Sequence, residues 1–335
     1  MVTSFSSINT STVLNESHNG VILASGTISL TLPNASTVLG TTYTIKKTDS
    51  SPNNVTIIGQ VDDEMNPELL EQYSYITIVS DGSAWYKVAE FVAVPEVESQ
   101  TTIRNSLGMT FQLIPAGTFV MGSPIDELGR GTDETQYTVT FTESFYMQTT
   151  EVTQGQWEML MGENPSSFTE CGLNCPVEFI SWEEAKAFII DLNAMGEGAY
   201  TFPTEAQWEY AARSGSNKAF ANGNISNTST DINMDAMGWY DSNSNSTPHA
   251  VAQKSPNNWG LYDMHGNVNE WCFDWYGTYP TGSVIDPTGP PSGTNRVLRS
   301  GGWYLEAQYC RSAERSYGSP SGRDIDIGFR LLRLH

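Results

Sequence analysis

Apolar and polar residues alternate in short runs from residue 20 to about 92, in TISLTLP, TYTIKK, NNVTIIG and YSYITIVSDGSAWYKVAEF. A period of two puts one set of side chains on each face of a strand, and the Thr, Ile, Val and Tyr enrichment suits that geometry. PNAS, TDSSPNN and SDGS interrupt the runs where turns are needed. Residues 1–92 therefore form a small all-β domain. VAVPEVESQTTIRNSLG has no apolar period and mixes Pro with charge, which makes 93–107 a linker. A second domain occupies 108–335.

The second domain opens on FQLIPAGTFVMGS, a hairpin-like strand pair around Pro115-Ala116-Gly117. Thr153 with Gln156, Ser181 with Glu184 and Thr204 with Gln207 have capping-box spacing and predict three helix starts. After the second start, Trp182, Ala185, Phe188, Ile189 and Leu192 share one helical face and are core positions. From about 214 the chain is rich in Gly, Asn, Ser, Asp and aromatics with little periodicity. Side-chain hydrogen bonds, turns or bound ions must hold such a region.

Charge narrows the partners. The chain carries 16 Lys+Arg against 38 Asp+Glu, a formal net charge of −22, which opposes nucleic acid and anionic membranes. No apolar run is long enough for a transmembrane helix, and the first residues lack the basic and apolar regions of a secretory signal. The 4 cysteines are too few for a disulfide framework. Cys171 and Cys175 are close enough for a local disulfide or are two free thiols, and no second His or Cys pair completes a zinc site.

In order, FQLIPAGTFVMGS, TEVTQGQWEML, NCPVEFISWEEAKAF, YTFPTEAQWEYAAR, NNWGLYDMHGNVNEW, RSGGW and IGFRLLR resemble the formylglycine-generating-enzyme family over about 108–333. The resemblance implies an α+β domain with a C-type lectin fold. The family's oxidase binds copper through a cysteine pair between the Gly-Gly turn and the final Gly-Phe-Arg; between Gly302 and Gly328 this chain has only Cys310. Soft-metal coordination needs more than one such ligand. Another branch of the family uses iron held by several His in a preceding helical domain. His18, His249, His265 and His335 are scattered, and the first domain here is β. Neither copper nor iron is expected, and no catalytic residue is assigned. Cys310 lacks a nearby His that would activate it as a nucleophile, and it reads as a structural thiol.

The resemblance also implies a structural calcium at DMHGNVNEW, through side chains at Asp263 and Glu270 and carbonyls at Gly266 and Val268. An ordinary turn closed by Asn267 and Asp263 is the alternative. Asn269 stands where the family commonly has an aromatic.

Residues 297–332 divide into two sets. Arg299, Gly301, Trp303, Arg311, Ser312, Ala313, Arg315, Pro320, Arg323, Gly328, Phe329 and Arg330 follow the family scaffold. Between them lie Leu298, Tyr304, Leu305, Tyr309, Ser316, Tyr317, Gly318, Gly322, Asp324, Ile325 and Asp326, where many relatives have asparagine. This resembles the variable proteins of diversity-generating retroelements, in which template adenines are randomised and AAC codons become many others. Changing both adenines of AAC yields Tyr, Ser, Gly, Asp, Ile or Leu, so every residue of this second set is reachable. Glu306 and Glu314 are not reachable from AAC; they lie in the same interval and join the candidate surface only through another template codon.

Tyr offers large contact area with few torsions to freeze, and Ser and Gly adapt around it. Packing within an irregular domain is the competing use of these tyrosines. The first domain resembles β modules of phage and viral tail or fibre proteins over 20–90. Together the resemblances imply a non-catalytic, tail-associated binding protein, on the virion or outside the cell. Its partner is a protein or glycan on a target surface, and the first domain offers a route to a homo-oligomer. An altered oxidoreductase and a purely structural virion protein remain the alternatives.

Overall fold

The computed structural model describes residues 5–48, 54–62, 64–65, 68–69, 74–91 and 101–334. The chain separates into two compact units at Ser99/Gln100.

In the first unit the alternating runs become two sheets. One has the strand order Phe5–Ile8, Gly20–Ala24, Thr42–Lys47, Tyr75–Ser80, Trp85–Phe91, Gln60–Val61, Glu64–Met65; the other runs Thr12–Val13, Ile28–Thr31, Val55–Ile58, Glu68–Leu69. The inward set includes Ile22, Tyr43, Ile45, Ile57, Ile76 and Ile78, all buried. Tyr43 stacks on Trp85 at 5.2 Å. The last long hairpin closes at Asp81, whose carboxylate accepts the backbone N–H of Ser83 and Ala84. Those bonds and the Ser83 hydroxyl hold the exposed Asp81 carboxyl down at about 2.

The linker expectation needs correction at its end. Residues 93–100 lie outside the described residues, but Thr102–Arg104 is a strand of the second unit, paired with Thr110–Ile114. The hairpin expected around Pro115 is also corrected. Thr110–Ile114 pairs with Phe145–Gln148, whereas Gly117–Met121 pairs with Tyr137–Phe141 in a different sheet. Both edges of Thr110–Ile114 are already occupied, so the chain turns away at Pro115-Ala116 instead of folding back. At Gly117 an added Cβ would meet the Tyr210 hydroxyl at 2.5 Å, so only glycine lets the strand pass helix Glu205–Arg213.

All three capping boxes form. They start helices Gln154–Met161, Trp182–Ala194 and Glu205–Arg213, with each Thr or Ser accepting from the backbone of the third helical residue. Trp182, Ala185, Phe188, Ile189 and Leu192 are buried in a core shared with Trp157, Trp271 and Phe329. Phe188 stacks on Trp157 at 5.1 Å and meets Phe329 edge-on at 5.5 Å.

A five-stranded sheet takes in Leu332–Leu334, which lies between Phe145–Gln148 and Ala199–Thr201. A separate four-stranded sheet has the order Ser316–Gly318, Arg296–Arg299, Asn269–Trp275, Ile327–Gly328. The C-terminal segment thus supplies three of these strands and the loops between them. Its other positions hang from a frame built on the Asn269–Trp275 strand.

Candidate functional site

The frame is electrostatic as well as apolar. Arg299 is fully buried and donates to Glu205 at 2.8 Å, to Glu209 at 2.6 Å and to the Ser312 carbonyl at 2.5 Å. Arg315 grips both oxygens of Glu205, at 2.6 and 2.9 Å. Glu205 and Glu209 are one helical turn apart, so a single helix face receives both guanidinium groups. Arg311 binds Glu134 through two nitrogens, at 2.7 and 2.8 Å, and Glu127 at 2.7 Å. Burial opposes the Glu205 and Glu134 charges, and the arginines more than offset it, so both carboxyls lie below their ordinary range. Arg299, Arg311 and Arg315 are therefore internal struts.

Between the struts, side chains reach solvent. Tyr304, Tyr309 and Tyr317 are 45%, 43% and 54% exposed. Gly322 and Asp324 lie in the loop after Ser319, with Asp324 exposed, while Leu305, Glu306, Glu314, Ser316 and Ile325 are half-buried. Tyr304 leans edge-on against Trp303 at 5.2 Å, and Tyr317 lies 4.4 Å from Tyr276. Tyr304 and Tyr317 each rest on an aromatic of the frame, which limits their motion without burying them. Glu306 accepts from Gln308 and Ser229. Glu314 is held near Arg299 and Arg311, yet desolvation pushes its carboxyl up to about 7.

Three expected surface positions are corrected. Leu298 is only 3% exposed and belongs to the core around Trp271. It sits in the middle of a strand, opposite Trp271 on one side and Ser316 on the other, so the pleat turns it inward. Gly318 pairs with Arg296, and any Cβ there would meet the Trp271 ring at 2.7 Å. Asp326 is 2% exposed and accepts Asn269 Nδ2 at 2.5 Å. The codon argument is blind to all three, because reachability from AAC carries no information about which face a residue occupies.

At the turn expected to hold calcium, one carboxylate is paired with an arginine. Glu270 is fully buried and bound by Arg330 at 2.6 and 2.7 Å, with Trp208 Nε1 adding a third donor at 2.7 Å. The Gly266 carbonyl accepts the Ser300 hydroxyl, and Asp263 accepts the backbone N–H of Ala252. Arg330 also donates to the carbonyls of Tyr262 and Asp263. Arg330 thus takes the Glu270 carboxylate out of the expected set of Asp263, Gly266, Val268 and Glu270, while Asp263 keeps one buried carboxylate oxygen without a donor. Glu151 and Asp263 are buried at the same turn; burial pushes both carboxyls up, reinforced at Glu151 by the neighbouring Asp263 and at Asp263 by Glu270. Accordingly, Glu270→Ala is expected to cost about 3–5 kcal/mol by leaving Arg330 unpaired. Melting curves with and without a chelator should show the same loss; a loss confined to chelator-free protein would restore the calcium ligand set.

Two cysteines are bonded to each other and two are buried thiols. Cys171 and Cys175 form a disulfide. Cys310 is buried under Gly301, where a Cβ would meet its sulfur at 2.7 Å, and burial pushes its thiol far up. Cys272, also buried, belongs to the core containing Trp208 and Leu261. His265 donates Nδ1–H to the Cys310 carbonyl and accepts the Ala221 backbone N–H at Nε2, with burial lowering its imidazole to about 4. A cleft of about 410 Å³ lined by Glu205, Asp274, Tyr279 and Arg315 has neither thiol nor imidazole in its walls. Sequence reading missed Glu178, buried beside this face, because Glu within NCPVEF has no spacing partner that singles it out.

Comparisons with known proteins agree with this architecture. The profile described as "Sulfatase-modifying factor enzyme 1-like domain" matches residues 97–334. The "Chaperone protein LppX" of Paenibacillus barcinonensis is 30% identical over 242 residues, covering 56% of this chain and 80% of its own. The formylglycine-generating enzyme of Streptomyces coelicolor is 34% identical over 181 residues, 47% of this chain, which spans 52% of that enzyme's length. Among solved structures, Treponema denticola variable protein 1 superposes with a TM-score of 0.64 at 31% identity, over 71% of this chain and 100% of its own. The α+β, C-type-lectin-like architecture of the second unit is that of these relatives. From residue 97 to 334 the chain belongs to the sulfatase-modifying factor enzyme 1-like family.

Proposed function

We propose that the C-terminal domain is a non-catalytic binding module whose exposed positions between 304 and 326 recognise a protein or glycan on a target surface, in the manner of a retroelement-diversified variable protein. One observation carries the reading: Arg299, Arg311, Arg315 and Arg330 are buried ion-pair struts, while Tyr304, Tyr309, Tyr317 and Asp324, interleaved with them in sequence, reach solvent. A scaffold that does not rest on its display residues tolerates their replacement. The likeness to Treponema denticola variable protein 1 supports the same reading. Among the described residues no helix is long and apolar enough to cross a membrane. We place the protein on a virion tail, with the first unit as attachment or self-assembly module, on the strength of the sequence resemblance of that unit.

Changing Tyr304, Tyr309, Tyr317 and Asp324 together to asparagine is expected to abolish attachment to the target surface. Exposed substitutions normally cost within about half a kcal/mol each, against roughly 3–5 for truncating a buried aromatic. Thermal melting of the fourfold variant therefore separates display from packing; a collapse in melting temperature would make these rings core residues. Sequencing the neighbouring DNA tests the genetic part. It should contain a near-copy of the codons for 297–332 with AAC at the display positions, beside a reverse transcriptase gene, and independent isolates should vary at Tyr304, Tyr309, Tyr317, Gly322 and Asp324 while sparing Leu298 and Gly318.

Incubation with copper and a sulfatase-type cysteine peptide is expected to leave the cysteine unoxidised. Conversion to formylglycine that disappears in Cys310→Ser would instead establish an oxidase.

A further inference from the structure

One corner of the display face offers hydrogen-bond acceptors without matching donors. The backbone N–H of Phe179 donates to the Asp324 carbonyl at 3.1 Å, which lays Glu178 alongside the Asp324–Asp326 loop. Asp326 takes Nδ2 of Asn269, so the Oδ1 of the same amide lies beside it; that oxygen is buried and has no donor. Glu178 is fully buried, gives one carboxylate oxygen to the Phe168 N–H at 2.8 Å and leaves Oε2 without a donor. Asp324 stands exposed at the rim. The Tyr304 hydroxyl rests on Asp326. Trp303 forms the wall, edge-on to Tyr304 at 5.2 Å and to Phe168 at 5.3 Å.

The contrast with the rest of the domain is what points to a ligand. Glu134, Glu205, Glu209 and Glu270 are each paired with a buried arginine. Among the described residues no ion pair reaches Glu178, Asp324 or Asp326. Buried acceptors left without donors are costly, and a charge-assisted donor relieves that cost most effectively. An aromatic wall adds affinity for an organic cation. A metal ion fits less well, since among the described residues no three His, Cys, Asp or Glu gather in metal-binding geometry.

We infer that this corner is a subsite for a cationic side chain, lysine or arginine, of a protein partner. The inference rests on the reading of the face as a binding surface and names the partner class. The ligand's charged head enters past Asp324, displaces the Tyr304 hydroxyl from Asp326 and donates to the Asp326 carboxylate and to the open oxygens of Asn269 and Glu178. Its alkyl stem lies along Tyr304 and Trp303.

The test uses the full chain, labelled for indole N–H resonances, titrated with Nα-acetyl-arginine methylamide, Nα-acetyl-lysine methylamide and the neutral Nα-acetyl-norleucine methylamide. The Trp303 resonance is expected to move with either cation and to stay with norleucine. Asp324→Asn, an exposed change, should weaken the response several-fold, and Glu178→Gln with Asp326→Asn should remove it. Equal movement with norleucine, a response that survives in both variants, or the same shift from calcium chloride alone would overturn the inference. So would saturable binding of neutral sugars at this resonance with no response to either cation. If the cations fail while Tyr309→Asn with Tyr317→Asn still abolishes attachment to the target surface, the subsite falls and the binding-surface reading stands.

Discussion

Replacing Arg299 by alanine is expected to unfold the C-terminal domain under conditions in which the parent is fully folded. The side chain is fully buried and links Glu205, Glu209 and the Ser312 carbonyl, so it ties helix Glu205–Arg213 to the strand that enters the display segment. Arg315 and Arg213 remain to face the two carboxylates, but neither occupies the space between them. Removing one partner of a buried ion pair costs about 3–5 kcal/mol, a large part of a total stability of about 5–15 kcal/mol. Arg299→Lys should recover little, because a single ammonium cannot span both glutamates and the carbonyl as the planar guanidinium does. Urea denaturation followed by tryptophan fluorescence checks both variants; a midpoint within the range of surface substitutions would show that the struts are dispensable.

The second large effect concerns pH, and its direction is unusual. Burial, reinforced by the neighbouring Glu205, pushes the Asp274 carboxyl up to about 7. Burial likewise raises Glu178 to about 7 and Asp326 to about 6. In the unfolded chain these groups ionise near about 4. Between about pH 4 and 7 the folded domain therefore holds protons that the unfolded chain has released, and stability falls as pH rises, by up to about 1.4 kcal/mol per group for each pH unit. Glu205 and Glu134 act oppositely: their carboxyls are lowered, so their contribution is lost only as pH drops below the ordinary carboxylate range. The two sets place maximum stability in mildly acid solution. Denaturation midpoints should be higher at about pH 5.5 than at pH 8, and an equal or higher midpoint at pH 8 would show that these carboxyls are solvated or paired in solution.

Local signals were legible without the fold. Each capping box is a contact between residues three apart, so Thr153, Ser181 and Thr204 announced their helices and the structure forms all three. The stripe from Trp182 to Leu192 and the alternation in TYTIKK likewise encode their buried faces through a short period. Pairing partners were not legible. Nothing in FQLIPAGTFVMGS indicates that its two strands enter different sheets, because that depends on Phe145–Gln148 and Tyr137–Phe141, which come later in the chain.

The C-terminal segment shows the same boundary at finer scale. From the sequence alone came the family scaffold, the single thiol between Gly302 and Gly328, the excess of acid and the interleaving of two residue sets. These properties reside in residue identity and order. Which member of the second set faces outward was decided only by the tertiary structure: Tyr317 reaches solvent while its strand neighbour Gly318 lies against Trp271, and Asp324 reaches solvent while Asp326 lies beneath Tyr304. The fate of Glu270 was decided in the same way, by Arg330 arriving from sixty positions along the chain. Exposure and ion pairing are properties of contacts between distant segments, and a contact exists only once the chain has closed on itself.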